Sequence, residues 1–264
     1  MELLGYISAI LIGISLGLIG SGGSILTVPV LVYLFNVEPV TATAYSLFIV
    51  GLTSLVGSAS YMHKDLVSYK TAIVFSVPSF IAVFLTRKYI LPSIPDMLFT
   101  LGEFEFTKNL FVMIFFSVLM ILAAISMIKN NKPDITGTEQ IFNYPLIMTE
   151  GFIVGILTGL VGAGGGFLII PALVLLAKLP MKMAVGTSLL IIAAKSLIGF
   201  TGDLGIQREI DWMLLFIVSL LAVSGIFAGG YLSKFISSQR LKPAFGWFVM
   251  VMGIYIIGKE LFLQ

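Results

Sequence analysis

The chain has 264 residues, 58% of them hydrophobic and 11% charged, with a mean hydropathy of +1.10 and a formal net charge of +2. Soluble domains carry about a quarter charged residues, so this surface cannot face water all round, and the small net charge gives no footprint for nucleic acid. With no cysteine and a single His63, a disulfide framework and a thiolate metal site are excluded, and a histidine metal site is disfavoured.

The N-terminus, Met1-Glu2-Leu3-Leu4, has no basic region ahead of its apolar stretch, which is read as part of the mature protein and not as a cleaved signal. Apolar runs follow at 3–20, 24–36, 39–62, 69–91 and 108–129, then at 145–162, 166–178, 183–202, 211–233 and 243–263. Six are near the roughly 20 residues that a helix needs to cross a bilayer core. The runs 24–36 and 166–178 are too short, since a helix of that length rises only ~20 Å. Each follows a glycine cluster. Tyr69 and Trp212 open long runs and suit the interface. The longest polar loop inside a half is 92–107. The stretch KNNKPDITGTEQIFN, 129–143, marks the boundary between a first transmembrane repeat (1–130), a linker (131–144) and a second transmembrane repeat (145–264).

The second half repeats the first at a shift of 142 residues. Gly13, Gly17, Gly20, Gly22, Gly23 and Pro29 fall on Gly155, Gly159, Gly162, Gly164, Gly165 and Pro171. Ser46 falls on Ser188 and Ser54 on Ser196; one further residue of shift aligns VSY (67–69) with IDW (210–212). Lys108 and Lys242 each open a last helix. Each half then holds a glycine-broken helix hairpin plus about three spanning helices, an odd count that starts the second half on the opposite side. Charge favours this count. One side collects Lys64, Lys70, Lys129, Lys132, Lys178, Lys182, Lys234, Arg240 and Lys242, and the other Arg87, Lys88, Lys108, Arg208 and Lys259. The richer side is expected in the cytoplasm. The expected architecture is an all-α integral membrane protein built from two inverted repeats.

Irregular backbone at membrane depth is tolerated only where it is buried in protein or lines a wet cavity. A short helix starting after such a break offers free N–H groups and a dipole that favour an anion. Paired breaks in matching positions of two repeats point to a transporter site near the midplane. Gly22, Gly23, Ser24, Gly164, Gly165 and Gly166 are therefore candidate substrate-binding residues. Gly13, Gly17 and Gly20 fit close helix packing instead.

The segments GLIGSGGSILTVPVL, GLVGAGGGFLIIPAL, MAVGTSLLIIAAKSLIGF and EIDW resemble the sulfite exporter TauE/SafE family, also called the 4-toluene sulfonate uptake permease family, over nearly the whole chain. The resemblance implies a multi-pass transporter of the cell membrane whose relatives move sulfite, sulfonates such as sulfoacetate and related anions in either direction. Two positions depart from the family pattern: Ser24 stands where a glycine often does, and Lys195 where many relatives carry asparagine.

Lys195 lies mid-helix and is expected either to face the anion beside Gly166 or to be satisfied internally, by snorkelling or by pairing with Asp203. Ser46, Thr187 and Ser188 could donate to oxyanion oxygens or bond between helices; Thr53, Ser54 and Ser196 are weaker candidates. The expected function is secondary transport of a small sulfur-containing oxyanion by alternating access, in a protein that is not an enzyme and has no cofactor or metal. An anion channel using the same helix termini, or a carrier of a different small anion, is the alternative. The partners are the anionic substrate and the lipid bilayer. A coupling proton or ion (Glu150, Asp203 and Asp211 are the acidic candidates) and the oligomeric state are left open.

Overall fold

A computed structural model describes residues 2–101, 104–129, 144–175, 179–204, 210–233, 235 and 238–262. In chain order the elements are α1 (Glu2–Ile19), a 3-10 helix (Ser21–Leu26), α2 (Thr27–Leu34), α3 (Pro39–Met62), α4 (Tyr69–Leu85), a π-turn (Thr86–Ile90), α5 (Leu91–Ser93), β1 (Met97–Leu101), β2 (Phe104–Thr107), α6 (Lys108–Lys129), α7 (Tyr144–Val161), α8 (Gly166–Leu175), α9 (Met181–Asp203), α10 (Trp212–Leu232) and α11 (Ser238–Phe262). The stretch Tyr69–Ser93 is one continuous helical rod with the π-turn inside it. Among the described residues six helices are long and apolar enough to cross a membrane: Pro39–Met62, Tyr69–Ser93, Lys108–Lys129, Tyr144–Val161, Lys182–Asp203 and Trp212–Leu232.

Local chemistry sets the boundaries. Pro39 occupies the first turn of α3, where its missing N–H costs nothing. Asp211 caps α10, its carboxylate accepting from the Leu214 N–H at 2.9 Å. Asn36 and Asp65 take positive φ values of 54° and 53° and turn the chain out of α2 and α3. These are residue types that tolerate the left-handed region.

Helix pairing is reciprocal between the halves. The sequence repeat matches α1 with α7, α3 with α9, α4 with α10 and α6 with α11. In space α1 packs along α10 and α7 along α4, while α3 packs on α9 and α6 on α11. Small residues bring the first two pairs into backbone contact. A Cβ on Gly17 would lie 2.6 Å from the Gly230 nitrogen; one on Gly159, its repeat mate, would lie 2.7 Å from the Thr86 Cβ. The core gathers where the two short segments meet: Ile25, Val28, Val161 and Ala163 pack with Met113, Phe116 and Met120 of α6 and with Val249 and Ile256 of α11.

Two sequence expectations change. The 92–107 loop is largely an antiparallel hairpin, β1 against β2, with Phe99 stacked on Phe106 at 4.7 Å. Aromatic cross-strand pairing supplies what its polar residues hide. Helix α11 starts at Ser238, so Lys242 lies within it and does not open it. Of the 131–144 linker, all but Tyr144 lies outside the described residues, and Tyr144 is the first residue of α7.

Candidate anion site at the helix breaks

The two breaks are built differently. At the first, Gly20 has φ +76° and the chain then winds as a tight 3-10 helix into α2. Gly22, Gly23 and Ser24 therefore sit inside a hydrogen-bonded segment, and α2 begins at Thr27, later than the run 24–36 suggests. A Cβ on Gly23 would lie 2.5 Å from the Leu16 nitrogen of α1. Ser24 is fully buried.

At the second break α7 ends at Val161, and the Gly162 N–H closes its last turn on Thr158 O at 2.8 Å. Gly162, Gly164 and Gly165 have φ values of +72°, +64° and +68°. For an L-residue the left-handed region costs roughly 1–2 kcal/mol, so three such positions in four residues demand glycine. Helix α8 starts at Gly166, and the N–H groups of Leu168 and Ile169 return to Gly165 O at 3.0 and 3.1 Å.

The two breaks lie together. The 3-10 segment packs on α8, Gly20 sits against Val185 of α9, and Gly162 sits against Thr43 of α3. Thr43 is the repeat mate of Val185, so each break leans on the matching helix of the other half.

Lys195 is fully buried. Its Nζ donates to Thr158 Oγ1 at 3.0 Å and lies 2.9 Å from where a Cβ on Gly165 would be. It forms no ion pair among the described residues. It does not reach a surface of the chain, and its internal partner is Thr158, while Asp203 is held by another residue.

That residue is Arg87, which lies within the apolar run 69–91 and stands among the five basic residues of the poorer side. It is fully buried in the π-turn at the end of α4. Its Nε donates to Asp203 Oδ2 at 2.8 Å, and its Nη1 donates to Thr43 Oγ1 at 2.8 Å and to Gly159 O at 3.1 Å. Its Nη2 is buried with no hydrogen-bond partner. One guanidinium thus ties α4, α9, α3 and α7 together at the end of α7, one turn before the second break. A signal was available, since Arg87 and Lys88 are followed by Tyr89-Ile90-Leu91 and so have apolar residues on both sides, the pattern of an intramembrane charge. π-Turns are also frequent at functional sites.

The remaining candidates scatter. Ser46 is buried, and its Oγ has no partner. Thr187 Oγ1 accepts the Ser68 N–H at 2.9 Å and so braces the α3–α4 connection. Ser188 Oγ donates to Val185 O at 2.8 Å, beside Gly20. Ser196 has a buried, unpartnered Oγ 3.6 Å from the Cβ position of Gly164, which places it at the second break; its repeat mate Ser54 is likewise unpartnered. Thr53, the mate of Lys195, bonds its own helix at Ile49 O, 2.7 Å away.

A model of the family described as "Sulfite exporter TauE/SafE" matches residues 6–256. The probable membrane transporter protein YunE of Bacillus subtilis (strain 168) is 28% identical, with 96% of this chain and 94% of the relative covered. A probable membrane transporter protein of Xylella fastidiosa (strain 9a5c) is 29% identical over 95% and 92%. One of Methanocaldococcus jannaschii is 37% identical over 45% of this chain and 46% of the relative. No solved structure matches the chain.

Proposed function

Since the chain belongs to the sulfite exporter TauE/SafE family, it is a multi-pass membrane transporter, and we propose that its cargo is a small sulfur-containing oxyanion bound at the second helix break. One observation carries this reading: Lys195 is a fully buried cation held against Gly165 with a neutral hydroxyl, and no carboxylate, as its partner. An unpaired charge in a low-dielectric interior is costly, and an anion at the start of α8 would neutralise it while gaining from the helix dipole. Gly164, Gly165 and Gly166 keep the backbone bare there, and Ser196 offers a hydroxyl. Gly22, Gly23 and Ser24 shape the opposing wall, with Ser46 and Ser188 as further hydroxyls from α3 and α9; Thr187 serves the α3–α4 connection instead.

The transport reading is alternating access between two inverted repeats, 1–130 and 145–264, with the richer basic side in the cytoplasm. The reciprocal helix pairing supports a two-fold relation of the halves, and the odd number of segments in each half supports inversion. Organosulfonates and sulfur oxoanions screened for thermal stabilisation of the purified protein should yield at least one ligand whose effect rises with concentration. In proteoliposomes loaded with that ligand, counterflow that saturates marks a carrier. Flux with no exchange would mark a channel and overturn alternating access.

A further inference from the structure

The long helices carry their own ruler for the bilayer. On the rod Tyr69–Ser93 the exposed residues Ile73, Val77, Ile81, Leu85 and Tyr89 recur at every fourth position, one apolar stripe that faces lipid. Tyr69 and Tyr89, 54% and 55% exposed, stand twenty residues apart on it, a rise of about 30 Å, the thickness of a hydrocarbon core. Trp212 and Tyr231 on α10, 45% and 61% exposed, repeat the spacing at about 29 Å. Aromatic residues gather at both membrane–water interfaces, so Tyr89 marks one of them. The base of the β1–β2 hairpin follows at once. There the Lys108 N–H donates to Asp96 O at 2.9 Å, Thr107 Oγ1 accepts the Leu110 N–H at 3.3 Å, and Asn109 Nδ2 donates to Glu38 Oε1 at 2.8 Å, bonds that fasten the base to the starts of α6 and α3. The strands project from that base with apolar residues bare: Met97, Leu98 and Phe99 are all exposed.

We infer that the hairpin 97–107 is an interfacial anchor that lies in the phospholipid headgroup layer, with the stacked Phe99–Phe106 pair turned toward the acyl chains and Thr100 and Glu105 toward water. Antiparallel register makes its two faces unequal. Phe99 pairs with Phe106, and the next pair, Thr100 with Glu105, falls on the opposite face. An isolated two-stranded hairpin is marginal in water, and bare apolar residues on its strands would invite aggregation. The bilayer that covers the stripe ending at Tyr89 is continuous with the hairpin and supplies the missing cover. Two costs fix the depth. The outer edge of each strand holds N–H and C=O groups outside the ladder, and hydrocarbon would leave them unsatisfied. Withdrawal into water would expose the rings. The headgroup layer meets both demands, because it is wet enough for the strand edges and apolar enough for the aromatic pair. Seated there, the hairpin fixes the depth at which the Tyr69–Ser93 rod and α6 leave the membrane.

The chain has no cysteine, so a single introduced thiol can carry an environment-sensitive nitrobenzoxadiazole label. Phe99→Cys and Thr100→Cys are labelled, with Leu220→Cys on the lipid face of α10 and Lys64→Cys in the α3–α4 connection as references. The full chain is reconstituted in vesicles of phosphatidylcholine, a zwitterionic lipid that does not repel the exposed Asp96 and Glu105 carboxylates. Lipid brominated near the headgroup should quench the label at 99 about twice as strongly as lipid brominated near the chain end, and the order should reverse at 220. The label at 100 should be quenched no more than the label at 64. Phe99→Cys removes one ring, so Met97→Cys repeats the reading with both rings in place; adding Phe99→Ser and Phe106→Ser should cut its quenching about twofold. Quenching at 99 no stronger than at 100 overturns the inference. So does a blue-shifted label at 99 that neither brominated lipid quenches, since protein, such as a second copy of this chain, would then cover the hairpin. Unchanged quenching at 97 after the two serine substitutions overturns it as well, because the rings would not be what holds the hairpin down.

Discussion

The two glycine breaks occupy matched positions in a duplicated chain, yet their surroundings share little chemistry. Lys195 stands at the second, and Arg87 with Asp203 at the end of α7 one turn before it. Their repeat mates at a shift of 142 are Thr53, Gly229 and Tyr61, and the mate of Thr158 is Leu16. Where Arg87 reaches the Gly159 carbonyl, the equivalent spot in the other half has Gly17 pressed on the backbone of Gly229 and Gly230, with no room for a side chain. The backbone differs as well: a left-handed glycine turn at 162–165 and a wound 3-10 segment at 21–26. Duplication supplied a framework with two openings, and substitution put the charge at one of them.

Four sets of variants break or sharpen that contrast. The largest effect is expected from Arg87→Met, which strands the Asp203 carboxylate in the interior. Losing one partner of a buried pair costs about 3–5 kcal/mol. The thermal midpoint should fall steeply, and adding Asp203→Leu should recover much of it. A midpoint within a degree or two of wild type would mean that the pair is idle. Next is Gly165→Ala, which meets a left-handed φ and presses its Cβ on Thr158 and Lys195. Together these should cost about 2–4 kcal/mol of stability and abolish anion binding in calorimetry. Third, Lys195→Met removes a charge-assisted bond worth roughly 1.5–3 kcal/mol, so anion affinity should drop tenfold or more while the fold survives. Thr53→Val, at the matching position of α3, should leave affinity unchanged, and equal affinities for all three proteins would remove Lys195 from the site. The smallest effect belongs to Ser196→Ala, expected to weaken binding by a neutral hydrogen bond, about 0.5–1.5 kcal/mol, against no change for Ser54→Ala in the same titration.

Much of the framework was legible because it is written in glycine and hydropathy. The ten apolar runs map onto the helical segments, and the breaks follow from glycine clusters, each glycine weakening a helix by about 1 kcal/mol relative to alanine. The site was half legible. Lys195 is visible because it interrupts LLIIAA and SLIGF. Arg87 was missed because it lies near the end of its run beside Lys88, and helix ends normally carry charge. What takes it inward is the π-turn and a carboxylate 116 residues away, and neither can be read from a local window. The tight winding of residues 21–26 was missed for a similar reason, because glycines permit a 3-10 helix as readily as a turn and tertiary contact with α1 and α8 decides between them.

The pairing of α1 with α10 has a consequence for biosynthesis. Roughly 190 residues separate the end of the first helix from the start of its partner, so at about 5–20 residues per second of synthesis α1 waits on the order of 10–40 s beside lipid before α10 exists. During that interval its glycine face is covered by acyl chains alone, and the chain is a run of unmated strips whose mates are still on the ribosome. Assembly must therefore finish late and all at once, as the second half threads back over the first. Two separately expressed fragments, 1–130 and 145–264, should each be cleared by membrane proteases when made alone and should accumulate when made together, because each supplies the surfaces on which the other is completed.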